Sequence, residues 1–296
     1  MNEIADQFAS YLKEEKHVSD NTLQSYCRDV RQYLAYLERT RADLLSANRT
    51  TLLSYLLYLQ KGGRAAASIS RSAASLRVLY HFLVSRGKVP DNPAEHLETP
   101  RPERRLPEIL TPQEVDRLLR QPSDATCRGR RDRAMLELLY ASGIKVSELI
   151  ALNLRDVDLD LAFLKCRNGE RVRIIPLGRT CLAAIGKYLS GARDALAPDK
   201  AEQALFVNCS GRRLTRQGFW KIVKGYAIEA GITKEITPHT LRHSFALHLL
   251  ENGASVKDIQ TMMGHADISS TQVYVQLLDS HVKQVYNDCH PKAKLG

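Results

Sequence analysis

The pattern of apolar positions predicts a chain built mainly from amphipathic helices. In the first hundred residues, apolar side chains recur at intervals of three and four, the period of a helix that buries one face. Ser19-Asp20-Asn21 supply capping residues for the second of four predicted helices, and Gly87 and Pro90 end the fourth. We therefore expect a compact helical unit over residues 1–99.

A proline- and arginine-rich segment follows this unit. Residues 100–107 read Pro-Arg-Pro-Glu-Arg-Arg-Leu-Pro, a composition typical of a semi-rigid, solvated linker. An ordinary surface loop is the alternative. Because basic linkers between basic domains commonly lie along a phosphate backbone, we expect Arg104 and Arg105 to contact DNA.

A second unit is predicted from residue 108 to residue 296. Thr111-Pro112-Gln113-Glu114 has the sequence of a capping box with proline in the first helical turn. Helical periodicity then predicts helices over residues 130–141 and 145–152. Further helices are expected through to Tyr286.

The apolar period changes from helical to two between about residues 160 and 177. The runs 163–167 and 172–176 flank Asn168-Gly169, and Asn-Gly between β-prone runs is the strongest short-range signal of a hairpin. Residues 205–207, Leu-Phe-Val, are expected to add a strand. The predicted fold class is mainly α with a small β-hairpin or sheet.

Composition narrows the range of partners and compartments. The net charge of +10 over 296 residues favours a polyanionic partner. No apolar run approaches the ~20 residues needed to span a bilayer. The first residues resemble an acidic amphipathic helix instead of a signal peptide. With six scattered cysteines, this predicts a reduced, cytoplasmic protein without membrane contact.

The most informative residues are His239-Thr240-Leu241-Arg242-His243, followed by Gly264-His265 and Tyr274. This set suits phosphodiester chemistry without a metal. A phenolate can attack phosphorus, a guanidinium can hold the non-bridging oxygens, and imidazoles can bind phosphate or move protons. His239 and His243 have the spacing of zinc ligands, but the arginine between them would repel a metal ion. We therefore predict no metal and no cofactor.

These residues resemble, in order and spacing, the tyrosine recombinase (phage integrase-like) family, and specifically its Xer-type branch. The resemblance implies that Tyr274 attacks a DNA phosphate, forms a 3′-phosphotyrosyl link and releases a 5′-hydroxyl without ATP. It implies that Arg242 grips that phosphate, that His239 accepts a proton or binds phosphate, and that His265 donates to a non-bridging oxygen. Three other residues are interpreted as structural: His243, His248 and Tyr286.

Two positions depart from the family pattern. The segment Gly143-Ile144-Lys145-Val146-Ser147-Glu148-Leu149 resembles a box in which an arginine clamps the phosphate, and here that position is Lys145. Lysine keeps the charge but loses the planar fork, so we expect a weakened clamp, with Glu148 orienting the cation. The hairpin should carry a lysine that protonates the leaving oxygen. Lys165 is our candidate for that task, with Arg167 or Arg171 as alternatives.

The resemblance also implies an architecture and partners. A helical, SAM-like core-binding domain and a mixed α/β catalytic domain would form a C-shaped clamp on duplex DNA at a dif-like or element-end site. Four protomers, identical or of two kinds, would exchange strands, with residues 278–293 docking on a neighbour. The plausible DNA-facing cations are Arg71, Arg77, Arg104, Arg105, Arg212, Arg213 and Arg216.

Four roles are compatible with this sequence. Xer-like chromosome dimer resolution fits the compact length. A small mobile-element integrase is the alternative within the class. A catalytically weakened architectural partner of another recombinase would explain Lys145. An enzyme resembling a type IB topoisomerase would share the chemistry but relax supercoils without a specific site.

Overall fold

The computed structural model describes residues 2–98, 108–168, 171–237 and 239–264. The chain divides into two compact units, Met1–Arg105 and Leu106–Gly296. The first unit contains four α-helices and a π-helical turn that extends the first of them. Their bounds are α1 Asn2–Ser10, the π turn Tyr11–Glu15, α2 Asp20–Thr40, α3 Arg49–Lys61 and α4 Ala66–Ser85.

The helices of the first unit begin and pack as the periodicity predicts. Ser19 is the N-cap of α2, and its side chain accepts a hydrogen bond from the Thr22 amide at 3.3 Å. Tyr33 and Tyr80 are fully buried in the core. The hydroxyls of Tyr33 and Tyr80 are 2.9 Å apart, and Tyr80 donates to the carbonyl of Leu44 at 3.2 Å. These bonds satisfy polar groups that would otherwise be costly to bury.

The described part of the second unit contains eight further α-helices and the sheet. Thr111 and Glu114 form the predicted capping box: the Glu114 carboxylate accepts from the Thr111 amide at 2.7 Å, and the Thr111 hydroxyl accepts from the Glu114 amide at 3.2 Å. A 3-10 turn, Leu154–Asp156, precedes the sheet, and a π turn, Tyr188–Ala192, joins α8 to α9. The helices are α5 Pro112–Arg120, α6 Cys127–Ser142, α7 Val146–Ala151, α8 Arg179–Lys187, α9 Arg193–Leu196, α10 Arg216–Glu229, α11 Thr240–Glu251 and α12 Val256–Met263.

The predicted hairpin is present and belongs to a three-stranded antiparallel sheet, ordered β1 Val157–Asp158, β2 Phe163–Asn168, β3 Arg171–Pro176. The short strand β1 was not predicted. Register places Cys166 opposite Arg173 and Lys165 opposite Ile174. Because neighbouring side chains in a strand alternate, the first pair lies on the buried face and the second on the outer face.

The strand predicted at residues 205–207 is absent. The segment is buried, but it makes only isolated bridges, between Asn153 and Ala204 and between Val207 and Arg213. The guanidinium of Arg131 donates to the carbonyl of Val207 at 2.9 Å, so a side chain takes an acceptor of this segment that a neighbouring strand would otherwise use. An apolar run therefore marked the core correctly, but the prediction of a strand was wrong.

Gly143 ends α6 and brings its C-terminus against α11. Its φ of 58° lies in the left-handed region, which favours glycine. A Cβ atom at this position would also clash with the ring of Phe245 on α11. Both constraints require glycine, and the close approach sets the loop between α6 and α7 beside the start of α11. Within the described ranges, no helix is long and apolar enough to cross a membrane.

Candidate active site

Arg242 lies in the first turn of α11 and is 3% exposed. Its Nη1 donates to the carbonyl of Gly143, and its Nη2 donates to the carbonyl of Met263 at 2.8 Å. These acceptors lie at the ends of α6 and α12, where carbonyls lack intrahelical partners. The two contacts fix the plane of the guanidinium, which is the group that suits bidentate recognition of phosphate.

His239 is the N-cap residue of α11, and its ring is close enough to Arg242 and Lys145 for both positive charges to affect it. Desolvation by the surrounding protein lowers the pKa of His239, and the positive charges of Arg242 and Lys145 lower it further. Its ring centroid is 6.0 Å from that of His243. A lowered pKa keeps the imidazole neutral at pH 7, which is the form that accepts a proton.

Lys145 precedes α7 and is half-buried. Its main-chain amide donates to Oε2 of Glu148 at 2.7 Å. Among the described residues, the Lys145 ammonium has no carboxylate within ion-pair distance. Two parts of the fold, the segment between α6 and α7 and the start of α11, therefore bring one ammonium, one imidazole and one guanidinium together.

Two sequence profiles of one protein family match most of this chain. A profile described as "Phage integrase family" matches residues 108–281, and one described as "Phage integrase, N-terminal SAM-like domain" matches residues 5–87.

The chain belongs to the phage integrase family.

Relatives named tyrosine recombinase XerD cover almost the whole chain. The protein from Oceanobacillus iheyensis is 48% identical, over 97% of this chain and 98% of the relative. The protein from Listeria innocua is 42% identical, over 99% of this chain and 100% of the relative. This similarity supports site-specific, Xer-like recombination.

A solved structure shares the fold at lower identity. A XerH site-specific recombinase bound to a palindromic difH substrate, in a post-cleavage complex, superposes with a TM-score of 0.76. It covers 96% of this chain and 84% of that chain, at 19% identity. The mainly helical fold with a small sheet is therefore confirmed.

The sequence predicted that Glu148 orients the Lys145 ammonium. In this member of the phage integrase family, the Glu148 carboxylate binds a different side chain. It accepts two hydrogen bonds from Arg173, Nη1 to Oε1 at 2.9 Å and Nη2 to Oε2 at 2.8 Å. Burial alone would raise the pKa of Glu148, but the bonds from Arg173 and the Lys145 amide, with the charges of Arg173 and Arg242, lower it. Glu148 is the third residue of α7, from where a carboxylate reaches the N-cap amide, so its other lone pairs face β3.

Arg173 is a residue of this site that sequence reasoning missed. Besides the Glu148 pair, its Nε donates to the carbonyl of Met262 at 2.9 Å. The signal was present in the sequence, since family members carry Lys-x-Arg before a Pro-Leu and this chain has Arg171-Val172-Arg173 before Pro176-Leu177. Arg173 therefore matches the arginine of the family pattern, and the lysine two positions before it is replaced by Arg171.

The hairpin candidates for the leaving-group acid lie elsewhere on the sheet. Lys165 and Arg167 are on the outer face, opposite that of Arg173. Both line a cleft of about 240 Å³ together with Arg155. Arg171 belongs to β3, but its side chain is outside the described part of the chain. Which of these residues serves as the acid stays a prediction.

The other predicted site residues fall outside the described ranges. They are His265, Tyr274, Arg104, Arg105 and the segment 278–293. The structure therefore brings Arg242, His239 and Lys145 together, and the nucleophile stays a prediction from the sequence.

Three of the arginines predicted to face DNA have structural contacts. Arg71 forms a two-pronged pair with the buried Asp29, with both N–O distances 2.9 Å. Arg77 donates to the carbonyl of Leu97, and Arg213 donates to the carbonyls of Ile150 and Leu152. Arg212 and Arg216 are exposed. A role for any of the five in DNA binding stays a prediction.

His248 fits the structural interpretation given to it. Its Nδ1 lies 2.8 Å from the hydroxyl of Tyr140, which joins α11 to α6. Burial lowers the pKa of His248, although Glu251 and the Leu110 backbone act in the opposite direction. The described residues contain no group of three or more His, Cys, Asp or Glu side chains arranged to hold a metal ion.

Proposed function

We propose that this chain is a Xer-type recombinase that cuts and rejoins duplex DNA at a specific site through a 3′-phosphotyrosyl intermediate. The observation that carries the proposal is the convergence of Arg242 and His239, from the start of α11, with Lys145, from the segment before α7. A buried guanidinium held by two carbonyls, an ammonium and a neutral imidazole form a site for one phosphate.

The proposed reaction is a balanced transesterification. The Tyr274 oxygen bonds to phosphorus as the bond from phosphorus to the 5′-oxygen breaks. The phenolic proton passes to His239, and the leaving oxygen gains a proton and departs as a 5′-hydroxyl. Arg242, Lys145 and His265 stabilise charge on the non-bridging oxygens. Because one phosphoester replaces another, the reverse step reseals DNA without ATP.

The hairpin is proposed to supply the proton to the leaving oxygen. If Lys165 is the acid, Lys165→Ala should slow cleavage about 10²-fold, within the range for loss of a general acid. A substrate with sulfur at the 5′-bridging position needs no such proton, so Lys165→Ala should cleave it at close to the wild-type rate. If Arg167→Ala or Arg171→Ala shows this pattern instead, that arginine and not Lys165 is the acid. Absence of the pattern in all three variants would remove the hairpin from the proton transfer.

Lys145 is proposed to weaken the phosphate clamp relative to arginine. Lys145→Arg should raise the rate of adduct formation about tenfold, or ~1.4 kcal/mol, the order of one charge-assisted hydrogen bond. The measurement is a single-turnover time course on trapped substrate. Lys145→Gln, which removes the charge, should fall below wild type. An unchanged or lower rate in Lys145→Arg would contradict the argument.

The proposed setting is a tetramer on duplex DNA in the cytoplasm that resolves chromosome dimers. Similarity over the full length to relatives named XerD favours this role over a small mobile-element integrase. A second recombinase would share the tetramer, and residues 278–293 would dock on a neighbouring protomer. Sedimentation on DNA, with and without truncation after Leu278, tests that docking.

The proposed function can be tested by trapping the intermediate. Genomic fragments protected by the protein identify the site, which is then synthesised with a nick that lets the leaving strand escape. Wild-type protein should accumulate a covalent adduct, and peptide mapping should locate the DNA on Tyr274. The trap is run with and without a partner recombinase from the same genome. No adduct in either case would make this chain a binding partner and not a catalyst.

A further inference from the structure

The C-terminal end of α12 is held by two arginines from different parts of the second unit. Arg173 donates Nε to the carbonyl of Met262, and Arg242 donates Nη2 to the carbonyl of Met263. The last carbonyls of a helix have no partner within it, and they carry the negative end of its dipole. Two guanidiniums on consecutive carbonyls therefore fix both the position and the direction of this helix end.

Both arginines also bind the segment between α6 and α7. Arg242 reaches the carbonyl of Gly143, and Arg173 reaches the main chain of Lys145 through Glu148. The Arg173 connection is buried, with side-chain exposures of 13% for Arg173 and 7% for Glu148. Two parallel connections thus run from the Lys145 segment to the end of α12.

The chain turns directly against Arg173 as it leaves α12. Gly264 has a φ of 64°, and a Cβ atom there would lie 2.7 Å from Nη1 of Arg173. The guanidinium therefore packs on the main chain at the turn. In the sequence the next residue is His265, the proposed donor to a non-bridging oxygen.

We propose that Arg173 is a positioning residue for the strand-cleavage reaction, acting through Glu148 and the end of α12 without contacting the scissile phosphate. The inference rests on the proposed function. Its three donors are directed at Glu148 and Met262, and its fork is what lets one side chain hold a carboxylate and a carbonyl together. Lysine has the charge but not this geometry.

Arg173→Lys and Arg173→Ala should therefore both slow adduct formation, by about 10²-fold, the scale expected when a reacting group is misplaced by about 1 Å. DNA affinity should stay within about twofold, because the proposal gives Arg173 no contact with phosphate. Arg133→Ala is the matched control, since Arg133 pairs with the buried Glu137 on a single helix of the same unit. That variant should form adduct at the wild-type rate.

A neutral substrate separates positioning from direct phosphate contact. A methylphosphonate at the scissile position lacks the charge of one non-bridging oxygen, so loss of a cation that binds this oxygen matters less. Lys145→Ala should lose a smaller factor on methylphosphonate than on phosphodiester. Arg173→Lys and Arg173→Ala should lose the same factor on both. A smaller loss on methylphosphonate for the Arg173 variants would make Arg173 a phosphate ligand and overturn the proposal.

Hydrogen exchange gives a readout that needs no catalysis. Amides of α12 and Gly264 should exchange faster in Arg173→Lys than in wild type, while those of α8 stay unchanged. Unchanged exchange at α12 would overturn the proposal even if activity falls. If wild type forms no adduct, the proposed function fails. If it does and the Arg173 variants match it, only the positioning role fails.

Discussion

A Tyr274→Phe variant is expected to bind the target DNA as tightly as wild type and to form no covalent adduct. The phenolic oxygen is the proposed nucleophile, and phenylalanine removes that atom alone. No other group then forms the phosphoester, so the loss should be complete on the suicide substrate. Denaturing electrophoresis of labelled DNA measures the adduct, and gel shift measures the affinity.

Tyr286→Phe is the matched control for this prediction, since Tyr286 follows the proposed nucleophile in the sequence and is interpreted as a packing residue. It should form adduct normally. Adduct in Tyr274→Phe, or its loss in Tyr286→Phe instead, would show that the spacing from Gly264-His265 had identified the wrong tyrosine.

Arg242→Ala is expected to lower the rate of adduct formation by about 10³-fold. Removing one preorganised donor to a transition-state oxyanion costs about 10² to 10³, and this guanidinium is held rigidly by two carbonyls. Unfolding should also become easier, because each buried carbonyl left without a donor costs about 1–3 kcal/mol. Single-turnover kinetics and thermal melts measure the two effects.

An Arg193→Ala variant distinguishes the loss of reaction rate from the loss of folding stability. Arg193 is 4% exposed and its guanidinium donates to the carbonyls of Glu202 and Ala204, so it has a comparable structural task in the same unit. The Arg193→Ala variant should lose about as much stability as Arg242→Ala. Its rate of adduct formation per folded molecule should equal that of wild type. A comparable rate loss in Arg193→Ala would mean that Arg242 acts through stability alone.

Local signals predicted much of the fold. Ser19 and the Thr111-Glu114 box act within one helical turn, so the sequence alone identifies the helix starts that the structure shows. The Asn-Gly pair likewise identified the hairpin, but the predicted turn was wrong by one position, because Asn168 is the last residue of β2 and pairs with Arg171. The structure begins α6 at Cys127, three residues before the prediction, because Thr126 caps it.

Long-range contacts account for what the sequence did not predict. Residues 205–207 have the composition of a strand, but the carbonyl of Val207 accepts a hydrogen bond from Arg131, 76 positions earlier in the chain. Arg173 and Glu148 are 25 positions apart in sequence, and Met262 is 89 from Arg173, so no local pattern could join them. Of the site, family spacing supplied Arg242, His239 and Lys145, while the contacts that orient them required the structure.

The hydrogen bond between the Lys145 amide and Glu148 involves the main chain of position 145 and not its side chain. Glu148 accepts a hydrogen bond from the main-chain amide of Lys145, and every residue except proline has such an amide. This hydrogen bond therefore does not depend on the side chain at position 145. If the proposed phosphate clamp is correct, an exchange of arginine for lysine at this position changes the rate of strand cleavage and leaves the hydrogen bond to Glu148 in place.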